Sequence, residues 1–259
     1  VNMKNDSILS AGVYPAWHPW LKLIAYSTNK TMQSFHTSDI NKIEVFDSQS
    51  DLIIYDVDKN EVTNIENDST EFECYPTWSP DGKWLYYVSA HFEFRDTIPH
   101  EAECIKRSKE IKYSIYRKSF NPETMQFGPR EMVFDAASLG KSATLPRISP
   151  DGKYLLFSMG EWGCFHIWHR DADLYMLRLA DNKVWPLTKT NSPQAESFHN
   201  FSSNGKWIIF SSRRNDGDYT RLFFAHVDAD GNTTKAFELP QQDPDFHRMF
   251  MKSYNIPEF

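Results

Sequence analysis

The chain is poor in the residues and runs that would mark a covalently stapled, metal-built or membrane-spanning protein. Its 259 residues include three cysteines, Cys74, Cys104 and Cys164. The count is odd and no two stand at Cys-x-x-Cys spacing, which argues against a disulfide framework or a zinc knuckle. No apolar run approaches the ~18 residues of a membrane span. The opening VNMKNDSILS is polar and is not a signal peptide. A trimmed or mature chain would lack one too, so the compartment stays open. Positive charge is in deficit, 28 Lys and Arg against 35 Asp and Glu, for a net charge of −7. An extended nucleic-acid footprint is therefore not expected. No His-Glu-x-x-His is present, and no Gly-x-Ser-x-Gly elbow. The nearest approach to the elbow, Phe157-Ser158-Met159-Gly160, lacks the preceding glycine.

Aromatic residues are abundant: 8 Trp, 12 Tyr and 19 Phe. Large rings favour half-buried strand surfaces. They recur in register. YPAWHPWLKLIAYS begins at Tyr14, YPTWSPDGKWLYYVS at Tyr75, LPRISPDGKYLLFS at Leu145 and FHNFSSNGKWIIFSS at Phe198. Pro15, Pro76 and Pro146 share a column that His199 completes, and Lys22, Lys83, Lys153 and Lys206 share another. Each unit reads as strand, tight turn, strand. Proline presets φ, aspartate bonds the local backbone and glycine accepts positive φ. A second alternating hairpin follows each unit, from Asp51, Tyr113, Ala172 and Thr220.

Four strands in a common core of about 40 to 50 residues are the period of a propeller blade. The expected fold is therefore all-β, a β-propeller of four-stranded antiparallel blades. Residues 11–66, 72–135, 143–190 and 196–240 would be the blades, and 241–259 a C-terminal tail. Residues 1–10 resemble the end of a preceding blade. Four repeats rarely close a ring, so the chain is expected to be part of a longer propeller, about four blades and a partial one. The unequal offsets come from polar insertions, 28–50 and 90–112, the second dense enough in charge to hold a short helix. Insertions at one place in every blade emerge on one face.

The pattern P-x-[WF]-S-P-D-G-K-x-[IL]-x-[FY]-x-S resembles the WD40-like, or PD40, repeats of the TolB-type β-propellers. It matches well at 76–89 and 146–158 and partly at 15–27 and 199–212. More narrowly, SATLPRISPDGKYL, GCFHIWHRDADLYML and FSSRRNDGDYTRL are similar to Bacteroidetes periplasmic or surface PD40 proteins. The resemblance implies export to the periplasm or cell surface, a lipid anchor on an upstream segment, and a binding or assembly role in the envelope. Relatives in that group carry an upstream haem-attachment motif; none is present here, so no cofactor is assigned.

Several stretches draw attention as binding candidates. Trp162, His166, Trp168, His169 and Arg170 crowd one loop. His166 and His169 are spaced as metal ligands would be on a helix, but this loop joins two strands and fixes no carboxylate, so no metal site is assigned. A rim of hydrogen-bonded histidines and stacked tryptophans fits better. Arg213 and Arg214 would suit two-point recognition of a carboxylate or phosphate; bonding to neighbouring blades is the commoner use. Asp228-Ala229-Asp230-Gly231 lacks the full calcium-loop spacing and reads as a hairpin turn. Cys104 is expected at the surface, where Lys106 and Arg107 would lower its thiol pKa, though no histidine base is fixed beside it. No catalytic residue is assigned.

The favoured reading is a non-enzymatic module that binds a protein or glycan in the cell envelope. The alternatives are a metal-dependent propeller hydrolase or lyase working in the central channel, or the accessory propeller of a peptidase or a cytochrome-associated system. The first strands, with Ala16-Trp17, Thr77-Trp78, Arg147-Ile148 and Asn200-Phe201, are mostly bulky and apolar. That counts against a metal centre on the axis.

Overall fold

The structure is a computed structural model and describes residues 12–35, 43–66, 68–95 and 98–259. The expectation for residues 1–10 lies outside the described residues. Among the described residues sixteen strands fall into four antiparallel groups of four in chain order, the first two groups joined in one eight-stranded sheet. The first holds β1 (Gly12–Trp17), β2 (Leu23–Phe35), β3 (Ile43–Asp56) and β4 (Glu61–Glu66). The second holds β5 (Glu71–Trp78), β6 (Trp84–His91), β7 (Ser114–Asn121) and β8 (Gln126–Phe134). The third holds β9 (Ser142–Ile148), β10 (Tyr154–Gly160), β11 (Asp173–Arg178) and β12 (Lys183–Pro186). The fourth holds β13 (Glu196–Phe201), β14 (Trp207–Ser212), β15 (Arg221–His226) and the two-residue β16 (Phe237–Glu238). One parallel bridge, Ser50 to Phe72, ties the first two sheets.

The repeated turn is built as its chemistry demands. Ser79 Oγ bonds Asp81 Oδ1 at 2.5 Å and accepts the Trp84 N–H at 3.0 Å. Ser149 does the same with Asp151 and Tyr154, and Ser202 with Asn204 and Trp207. Gly82 sits at φ 58°, where only glycine is unstrained, and a Cβ there would also strike His18 and Trp20. In the first sheet His18 takes the serine's part, its Nδ1 accepting the Leu21 N–H at 3.0 Å.

A second feature recurs that the residue pattern did not announce. The residue before each column proline or histidine, namely Tyr14, Tyr75, Leu145 and Phe198, has φ between 49° and 55°. The first strand slips register against the second at each of these points. Left-handed backbone at a non-glycine residue costs on the order of 1–3 kcal/mol, so packing must hold each bulge in place. At the first two it brings the Tyr14 and Tyr75 rings to 4.3 Å.

Between the sheets, alternate residues interlock. Leu85 and Tyr87 of β6 pack on Ala25, Leu52 and Ile54 of the first sheet. Leu155 and Phe157 of β10 join Tyr86, Val88 and Ile115 of the second. Ile208 and Phe210 of β14 join Leu156, Leu174 and Met176 of the third. The insertions all lie between second and third strands. The first is less a loop than expected. It continues β2 and β3 as paired strands, Thr31 opposite Asp47 through Phe35 opposite Ile43. The second carries α1 (His100–Lys106).

Glu73 is buried between the first two sheets, and neither carboxylate oxygen has a protein partner. Burial, then the charges of Glu66, Asp51 and Glu71, push its pKa up to about 9, against the pull of Arg130. The folded state therefore keeps a proton that the unfolded chain releases near pH 4.5. Stability should fall as pH rises from about 4.5 to about 9. Glu73→Gln should flatten that slope and raise stability near pH 7 by about 2–3 kcal/mol. Urea midpoints of both proteins at pH 5, 7 and 9 check this; parallel curves would refute it.

Candidate functional site at the insertion end

The loop after β10 is tight rather than open. Gly163 turns it at φ 70°, and a one-turn 3-10 helix spans His166–Trp168. This geometry sends His166 and His169 inward. His166 is wholly buried, with Nδ1 3.1 Å from both Thr144 Oγ1 and Ser158 Oγ. Burial, then the neighbouring His169, depresses its pKa to about 3, so the ring is neutral. His169 is also buried and its Nε2 lies 3.1 Å from Glu44 Oε2, 125 residues away in β3. The two rings are 5.8 Å apart. Among the described residues no group of three His, Cys, Asp or Glu side chains is placed to hold a metal.

Ser158 and His166 stand at the separation of a nucleophile and its base. Both are sealed from solvent, and Ser158 Oγ donates to the Glu196 carbonyl at 3.1 Å. The pair is a structural bond.

The tryptophans divide. Trp162 is buried, stacked on Phe46 at 6.2 Å and tilted against His169 at 4.5 Å. Trp168 is half-buried at the surface, with the Arg213 guanidinium carbon 4.7 Å above its ring. Arg213 is itself buried and donates to the Asp218 carbonyl at 2.8 Å. Arg214 stacks on Phe223 and donates to buried Glu196 at 3.0 Å and to the Thr190 carbonyl at 2.8 Å. Burial is the leading pull on both arginines and lowers their pKa. Arg170 is exposed and donates to the Pro193 carbonyl at 3.1 Å. The seven candidates are thus brought to one end, but the two arginines do not form a joint clamp.

Cys104 corrects its expectation. Helix α1 turns it inward against the core cluster, where it is fully buried. Burial, followed by Glu103, Glu101 and Asp47, pushes its thiol up to about 12, outweighing the opposite pull of Arg107.

The residue pattern missed a buried polar cluster beside this loop. Asp47 accepts from Asn29 Nδ2 at 2.7 Å and Thr31 Oγ1 at 2.6 Å, with Cys164 Sγ at 3.6 Å. Burial raises its pKa, and no cation among the described residues pairs with it. Asn29 also reaches Cys74 Sγ at 3.4 Å. Tyr75 donates to the Cys164 carbonyl at 3.3 Å, and the Phe165 ring lies 6.3 Å from both Tyr14 and Tyr75. The Tyr14, Tyr75 and Phe165 rings thus crowd together where β1 and β5 lie side by side.

Two arginines on neighbouring loops of this end should therefore behave differently. Arg214→Ala strands buried Glu196 and should cost about 3–5 kcal/mol. Arg170→Ala, at an exposed position, should stay within about 0.5 kcal/mol of the parent. Denaturant titration of the two variants decides it; equal losses would contradict the division.

No family model matches the chain, and no curated protein matches it. Solved structures do. A puromycin-hydrolysing peptidase from Mycobacterium tuberculosis aligns with TM-score 0.50 at 10% identity, covering 86% of this chain and 31% of that one. An oligogalacturonate lyase in complex with manganese aligns with TM-score 0.50 at 9% identity, covering 76% and 50%. TolB from Acinetobacter baumannii aligns with TM-score 0.46 at 18% identity, covering 90% and 55%. The chain spans about half, or less, of the length of these structures. At such identities the likeness is one of fold: the chain shares the all-β, four-stranded-sheet architecture of the β-propellers.

Proposed function

We propose that the chain is a non-enzymatic binding module of the bacterial cell envelope, with a scaffold or assembly role and a protein or glycan as partner. The observation that supports it most is the fate of the candidate side chains. His166, His169, Arg213 and Arg214 are consumed in internal bonds, and the Tyr14, Tyr75 and Phe165 rings pack together between β1 and β5. What this end offers to solvent is the edge of Trp168, with Arg213 on its ring, and Arg170 beside it. An aromatic face flanked by arginine suits protein or glycan contact. No helix of the described residues is long and apolar enough to cross a membrane. Envelope location, with any lipid anchor upstream of Val1, is part of the proposal.

The proposal extends to the fold. The blades run 11–66, 72–135, 143–190 and 196–240, with 241–259 as tail, within a longer propeller. One column of residues supports this. Trp78 is 7% exposed, packed on the first sheet, its Nε1 donating to the Ala16 carbonyl at 3.2 Å. Phe201 is likewise 7% exposed in the cluster it shares with the third sheet, and Ile148 packs on the cluster shared with the second. Trp17 holds the same place in the first sheet and is 61% exposed. A preceding blade is what that position packs against elsewhere in the chain.

Two measurements test the reading. Trp168→Ala combined with Arg170→Ala should keep the fold by circular dichroism and lose at least tenfold in affinity for the envelope protein or arrayed glycan that the parent retains. Unchanged binding, or stoichiometric calcium, zinc or manganese in protein purified without chelator, would move the assignment to the enzyme reading. The protein isolated from its own cells should exceed the 30.3 kDa of this chain by at least one blade on the N-terminal side; a native N-terminus at Val1 would end the longer-propeller reading.

A further inference from the structure

We propose that residues 246–259 cap the stack of sheets: they take the place of a fifth sheet on the outer face of the fourth, and Arg221 clamps them there. Each sheet turns one face of its second strand toward the sheet that follows. The third residue after the column lysine lies on that face. Ala25 packs there with Leu85 and Tyr87, Tyr86 with Leu155 and Phe157, and Leu156 with Ile208 and Phe210. None of the three is more than 2% exposed. Ile209 holds the same column in β14, and no sheet follows it among the described residues. It is nevertheless only 4% exposed, so something other than a sheet lies on it.

The C-terminal segment reaches that face. Ser211, two residues after Ile209 and turned the same way, donates from Oγ to the Asn255 carbonyl at 3.2 Å. Phe224, opposite Ile209 in β15, meets the Phe259 ring edge-on at 5.8 Å. Pro257 is buried. The segment begins with one helical turn, α2 (Phe246–Met249). It returns to the sheet at Thr220, whose hydroxyl donates to the Tyr254 carbonyl and whose carbonyl accepts the Tyr254 N–H at 3.2 Å. Arg221 is the clamp. It is 1% exposed, and its guanidinium donates to the carbonyls of His247 at 3.1 Å, Phe250 at 2.7 Å and Lys252 at 2.7 Å. A buried charge is costly unless its hydrogen bonds are made, so the burial of Arg221 and the docking of the segment depend on each other. The cover stops short of Trp207, which lies at the other end of β14 from Ser211 and is 36% exposed. Stacked repeats need their terminal faces sealed to stay soluble. A bared outer face of the fourth sheet would instead be open to a second copy of the chain.

Trypsin reads the clamp on the whole chain, because the bond after Lys252 carries one of the three clamped carbonyls. Arg221→Gln should speed cleavage there by about tenfold or more, through the loss of charge-assisted hydrogen bonds, while cleavage after Lys118 in β7 keeps the parent rate. With the segment released, the variant should self-associate in sedimentation at concentrations where the parent does not. Arg248→Ala, which removes an exposed arginine of α2 from its pair with Asp245, should leave cleavage after Lys252 slow and association unchanged. If the parent and Arg221→Gln are cut after Lys252 at one rate, the clamp is refuted. The same holds if cleavage after Lys118 accelerates by the same factor, since Arg221 would then hold the whole fold and not the segment. If the variant releases the segment yet associates no more than the parent, the segment is not a cap. None of these outcomes touches the partner-binding reading, whose test varies Trp168 and Arg170.

Discussion

Face-to-face burial of one sheet against the next is the constraint on which everything else depends. An isolated four-stranded sheet with two apolar faces cannot hide both. Here Leu85 and Tyr87 reach back into the first sheet, Leu155 and Phe157 into the second, and Ile208 and Phe210 into the third. Burying each such side chain contributes about 1.5–3 kcal/mol. The same stacking sets the angle between neighbours and so brings the four first strands together. Once they meet, the bulges at Tyr14, Tyr75, Leu145 and Phe198 become tolerable, because side chains packed around each bulge offset the backbone strain. The loops of the insertion end are then held by rigid sheets rather than by one another.

That hierarchy explains what the residue pattern revealed. The Ser-Pro-Asp-Gly turns are decided within six residues: Ser79 donates to Asp81 and accepts the Trp84 amide whatever lies elsewhere. The alternation along Asp51–Glu66 and Tyr113–Phe127 reports burial by period and needs no partner to be named. The hairpins and their grouping in fours were therefore legible. The buried cluster around Asp47 was not. Glu44 and Asp47 sit in a polar stretch, where solvation is the default reading. Both are buried, and each meets a loop more than a hundred residues away. Nothing local in TMQSF or IEVFDS distinguishes a carboxylate facing water from one facing His169. Cys104 failed for the same reason: its charged neighbours were visible, while the face of α1 on which it lies is set by tertiary packing.

The candidate residues lie together in the fold, but their chemistry was only partly legible in the sequence. Trp162, His166, Trp168, His169 and Arg170 come together because Gly163 and the 3-10 turn fold them into one knot. The density of such residues drew attention to a loop that sequence could not divide into inside and outside. Division matters more than density. Buried members bind the loop to Thr144, Ser158 and Glu44, whereas Trp168 and Arg170 face outward.

Ser158 and His166 sharpen the point, since their distance alone would license a nucleophile and its base. Function requires more than separation. A nucleophile needs an approach path, and a base needs a pKa near the working pH. His166, held neutral to about pH 3 by its burial, fails the second condition, and the sealed Ser158 hydroxyl, given to the Glu196 carbonyl, fails the first. Glu196 in turn gathers Ser192, Ser212 and Arg214, so altering any member unsettles the joint between the third and fourth sheets. The polar interior at this end is best understood as the means by which loops too polar to bury greasily are fixed to the sheets. The same economy leaves the outer edge of Trp168 as the part of the loop not already committed to the fold.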